Sequence, residues 1–87
     1  MPCISKFYGI SIYFYAGDHL PPHFHAFYGD EEAMILIATG RSYRGQLSAR
    51  ASRMVNEWSA LHRAELEANF SESQKPMPKF KQIPPLP

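Results

Sequence analysis

The chain has 87 residues, 45% of them hydrophobic and 14% aromatic, which supports one small core and not two. A net charge of +1 excludes a molecule that binds polyanions over its whole surface, so any electrostatic role has to come from local clustering. The single cysteine, Cys3, excludes an intrachain disulfide and a cysteine-built metal cluster, and favours a reducing compartment.

No apolar run has the form of a signal peptide or approaches the roughly 20 residues of a membrane span, so the expectation is a cytoplasmic protein with no membrane partner. A domain this small buries a modest share of its surface, and contact with a partner or a homodimer would add stability.

In chain order, Ile4 to Tyr15 reads as two strands or one bent strand. Ile10, Ile12 and Phe14 alternate with Ser11, Tyr13 and Tyr15, and Gly9 marks a bulge or sharp bend. Ala16-Gly17-Asp18 is a turn. His23 to Tyr28 forms the next strand and Gly29-Asp30-Glu31 a turn. Ala33 to Ala38 then reads as a strand buried on both faces, the expected sheet centre. Arg41 to Leu47 returns as a short edge strand carrying Tyr43. Ser48 is a good N-cap for one helix running to about Phe70, with Ala51, Met54, Val55, Trp58, Leu61, His62, Leu66 and Phe70 on one apolar face. From Lys75 the chain becomes a proline-rich basic tail, with Phe80 and Ile83 available to dock. The expected architecture is therefore α+β: a small, mainly antiparallel sheet covered by one long helix in residues 1–74, followed by the tail of residues 75–87.

Chemistry concentrates in Asp18-His19-Leu20-Pro21-Pro22-His23-Phe24-His25-Ala26, which holds three of the four histidines. Two consecutive prolines make a stiff mount. In a strand, His23 and His25 leave one face about 6.5 Å apart at Cα while Phe24 anchors the other. A His-x-His pair starts a metal site for which Asp18 or His19 is the third ligand. The same imidazoles could serve as general acid and base on a phosphodiester, or bond to the backbone of the bend and stiffen it. Arg41, Arg44, Arg50 and Arg53 form a second constellation. Arg50 and Arg53 lie in the first turns of the helix, against the preference of its dipole, which suits an anion such as RNA phosphate or an acidic partner protein. His62, one turn from Trp58, reads as a satisfied core residue or as reaching toward the loop histidines. Cys3 reads as packing.

Phe7-Tyr8-Gly9-Ile10, Asp18-His19, Pro21-Pro22-His23-Phe24-His25-Ala26, Tyr28-Gly29 and Glu57-Trp58 leading to Leu61-His62-Arg63 resemble a small bacterial domain-of-unknown-function family marked by a PPHFHA motif. The resemblance implies an α+β domain, often encoded beside a second small domain in a toxin–antitoxin-like pair. The resemblance implies no settled biochemical activity; the leading expectation is a component acting on RNA or the translation machinery, with His23 and His25 as acid–base or metal residues, the arginines holding phosphate, and a cognate small protein partner. Two other readings stand beside it, a non-catalytic protein-interaction module and a small histidine-based metal-binding protein. The residues alone do not decide among them, nor which metal would bind.

Overall fold

The computed structural model describes residues 3–87. Five strands form one antiparallel sheet in meander order: β1 (Cys3–Phe7), β2 (Ile10–Tyr13), β3 (His23–Tyr28), β4 (Glu31–Leu36) and β5 (Ser42–Gly45). Two helices follow, α1 (Ala49–Leu61) and α2 (Arg63–Ser73). The fold is α+β, as the pattern of the sequence implies.

Local chemistry explains the hairpins. Tyr8 and Gly9 both take positive φ, 50° and 82°, in the two-residue connection between β1 and β2. That backbone matches the right-handed twist of paired strands, so Gly9 belongs to a tight turn and not to a bulge. Gly29, at φ 58°, does the same between β3 and β4. Register then pairs Ile12 with Ala26 and Phe24 with Ile35, aligning the apolar residues of three strands on one face.

This face is the core. Ile10, Ile12, Phe24, Ala26, Ala33 and Ile35 are buried together with Val55 and Trp58 of α1 and Leu66 of α2. Trp58 lies against Phe7 and Phe24, with ring centroids 5.2 and 5.8 Å away, and its indole N–H donates to the carbonyl of Pro84 at 2.8 Å. On the other face Tyr13, Phe27, Met34 and Leu36 are half-buried. Alternation therefore holds along β4, which is buried on one side only, and the middle of the sheet is β3.

The single long helix expected over 48–70 is two helices. His62, at φ −121° and ψ 26°, breaks it, and Arg63 beyond the break donates from Nε to the carbonyl of Ile37 at 3.2 Å. Leu61, placed on the apolar face by periodicity, is exposed. The apolar period runs unbroken through the interruption, so nothing in the spacing of residues announces it. Ser48 occupies the N-cap position, yet its side chain makes no capping bond. Its backbone N–H donates instead to Glu31 Oε1 at 2.8 Å.

The tail packs on its own domain. Ile83 is buried, its N–H donates to the carbonyl of Ile4 at 3.0 Å, and Phe80 stacks on Phe14 with centroids 5.9 Å apart. Asn69 of α2 clamps Lys81 from both sides, amide to carbonyl and amide oxygen to N–H, each at 2.9 Å. Phe80 and Ile83 are thus occupied within the chain, because they complete the core and cover part of the β1 edge that would otherwise present open backbone groups.

Candidate metal centre

His23 opens the central strand and His25 follows two residues on, so the pleat sends both rings to the same side while Phe24 enters the core. The ring centroids are 5.1 Å apart. Asp18 reaches them from the loop between β2 and β3. That loop is tied down by Gly17 N–H to the Ser73 carbonyl at 2.8 Å and by Gln74 Nε2 to the Asp18 carbonyl at 2.7 Å. The proline corner is fixed in turn by Ile37 N–H donating to Pro22 at 3.1 Å. The loop and the central strand thus bring their donor groups to one point.

The donor atoms of Asp18, His23 and His25 lie within 4.8 Å of one another. Asp18 Oδ2 is 3.1 Å from His25 Nε2 and 3.6 Å from His23 Nε2. Ligands bound at about 2.0–2.1 Å to one zinc-like ion are about 3.0–3.4 Å apart, so the cluster needs little adjustment to close on a cation. A stiff proline mount with both imidazoles on one face implies rings presented outward, and the structure corrects this. His23 is fully buried and His25 is 8% exposed, because Phe70, Tyr15 and Tyr43 pack around the two rings.

Hydrogen bonding assigns the His23 tautomer. Its Nδ1 lies 2.8 Å from the carbonyl of Pro21, which can only accept, so Nδ1 carries a proton and Nε2 is turned toward the Asp18 carboxylate. This Nε2 is buried without a hydrogen-bond partner. A lone pair facing a carboxylate in a buried place is unfavourable unless a proton or a metal ion lies between them. A carbonyl on the far nitrogen of a histidine is also the usual way a protein orients a metal-binding imidazole. His25 makes its bond to Asp18 through Nε2, and its buried Nδ1 has no partner either. Beside it stands Tyr15, ring centroid 4.5 Å away, whose hydroxyl is held above its ordinary acidity range by burial and then by the charges of Glu32, Tyr13 and Asp18.

The other sequence candidates are placed elsewhere. His19 is exposed and outside the cluster. His62 lies tilted against Trp58 with centroids 5.7 Å apart and pairs with Glu65, outside the cluster of loop histidines. The four arginines do not share one spot. Arg50 Nη1 donates to Tyr28 Oη at 3.4 Å, at the opposite end of β3 from His23. Arg44 lies across Met34 from His25 in one cross-strand row, Arg41 follows the end of β4, and Arg53 is exposed on α1. A carboxylate, Glu31, already takes the N–H at the start of α1. Tyr43, whose ring stands 5.5 Å from His23, belongs to the site although strand periodicity alone gave no reason to place it there.

A family model described as "Domain of unknown function (DUF4160)" matches residues 9–71, and the chain belongs to that family. The matched span contains all three clustered residues. Neither the curated proteins nor the solved structures contain a match to this chain.

Proposed function

We propose that this member of the DUF4160 family is a metal-binding protein whose Asp18, His23 and His25 hold one divalent transition-metal ion. The observation that carries the reading is the buried, unpartnered Nε2 of His23, aimed at Asp18 by the Pro21 carbonyl behind it. Two imidazoles and one carboxylate suit zinc or iron(II), and three protein ligands leave coordination positions for water or a substrate oxygen. A metal held by Asp18, His23 and His25 would supply Lewis-acid polarisation of an anionic group or an activated water, so hydrolytic chemistry is the fitting class.

The PPHFHA stretch supplies two of the three ligands, so the motif marks the metal centre in this reading. A role in a bacterial toxin–antitoxin-like pair acting on RNA rests on the resemblance of that motif and on Arg44, which shares a row with His25. Arg50, at the far end of the strand, gives it no support. The metal centre is therefore the part of the reading that the geometry supports best.

Isothermal titration of zinc into the purified full chain tests it. One equivalent should bind, and Asp18→Asn, His23→Gln and His25→Gln should each weaken binding by at least about tenfold, with circular dichroism confirming that each variant folds. Absence of binding, or variants that bind zinc as well as the parent, overturns the proposal and leaves the imidazoles as a metal-free pair.

A further inference from the structure

A groove runs along α2 on the side where the tail returns. Its larger part, of about 460 Å³, is lined by Ala68, Glu72, Lys75, Met77, Lys79 and Lys81. It continues into a second hollow of about 290 Å³ floored by Ala64, Ala68 and Ile83 and rimmed by Lys81, Gln82 and Glu65, whose carboxylate is paired with His62. Ala64 and Ala68 are one helical turn apart, and their small side chains are what leave the trench open.

Two properties of the groove are unusual for so small a chain. First, three of its four lysines line this one depression, although the whole molecule carries a net charge of only +1. Lys75 pairs with Glu72 at 2.6 Å. Lys79 and Lys81 are held through their backbone N–H groups, by Glu72 Oε1 at 3.0 Å and Asn69 Oδ1 at 2.9 Å. Among the described residues their ammonium groups make no ion pair. Second, the walls are built before any ligand arrives, because the Asn69 clamp and the buried Ile83 fix the tail against the helix. Met77, 82% exposed, overhangs the charged end as an apolar contact without a partner.

We propose that this groove docks an acidic segment of a partner polypeptide. Carboxylates of the segment meet Lys79 and Lys81, and its aliphatic side chains rest on Ala64, Ala68 and Met77. The span from Ala64 to Glu72 is about 12 Å along the helix, room for roughly two turns of a docked helix or four extended residues. A peptide fits better than a nucleic acid because the floor is apolar and aliphatic and offers no aromatic ring on which a base could stack. The groove uses none of Asp18, His23 and His25, so this proposal stands or falls apart from the metal centre.

The test uses the isotope-labelled full chain, a synthetic peptide of about twelve residues alternating glutamate pairs with leucine, and an oligouridylate of similar charge. The peptide should shift the amide resonances of Ala64, Ala68, Lys79 and Lys81, and Lys79→Glu with Lys81→Glu should weaken it by about tenfold or more. The double alanine variant keeps both backbone clamps and should weaken binding by less, which separates loss of charge from loss of the tail. Three results overturn the proposal: peptide shifts that fall outside the groove, affinity unchanged by charge reversal, or oligouridylate bound in the groove more tightly than the peptide.

Discussion

His23 donates Nδ1–H to Pro21 and turns Nε2 to Asp18, so what lies between Nε2 and the carboxylate, a metal ion or a proton, separates a site from a strut. Nitrogen NMR of the neutral imidazoles should therefore find His23 protonated at Nδ1 in the metal-free protein. A proton on Nε2 would show that the carboxylate, and not the Pro21 carbonyl, sets the ring. The sequence made part of this legible. Histidine spacing on a strand put both rings on one face with Phe24 opposite, and Asp18 was within reach of the bend. It did not show that the rings are buried, because their cover comes from residues far away in the chain: Tyr43 on the edge strand and Phe70 on α2.

At the scale of elements, tight turns and period-two alternation define the strands, and these are local properties that a sequence displays directly. The interruption at His62 is different in kind. Ala51, Val55, Trp58, Leu66 and Phe70 keep helical spacing across it, so only the tertiary bond from Arg63 to Ile37 and the pairing of His62 with Glu65 betray it. The tail was hidden for a related reason: proline-rich text has no period, yet Ile83 completes the core and bonds to the β1 edge. Ile83→Ala should accordingly cost about 2–5 kcal/mol in urea unfolding, as a buried aliphatic truncation does. A loss within a few tenths of a kcal/mol would mean that the tail merely rests on the surface. The groove beside α2 depends on that same docking.

For the whole molecule, the metal proposal joins stability to function. A domain of 87 residues has a small margin, and a ligand that binds only the folded state adds to it by mass action. The cluster joins two pieces of the fold: the β2–β3 loop, tied to the end of α2 through Gly17 and Asp18 and to Ile37 through Pro22, and the central strand itself. An ion there would pin the β2–β3 loop to the central strand, while Arg50, Arg53 and the lysine groove lie away from the cluster. The most direct measurement is anomalous diffraction at the zinc edge from crystals of the full chain soaked in a zinc salt. The account predicts one principal peak within about 2.0–2.2 Å of Asp18 Oδ2, His23 Nε2 and His25 Nε2. A principal peak elsewhere, on exposed His19 or beside His62, or no peak with Asp18 still bonded to His25, would contradict it.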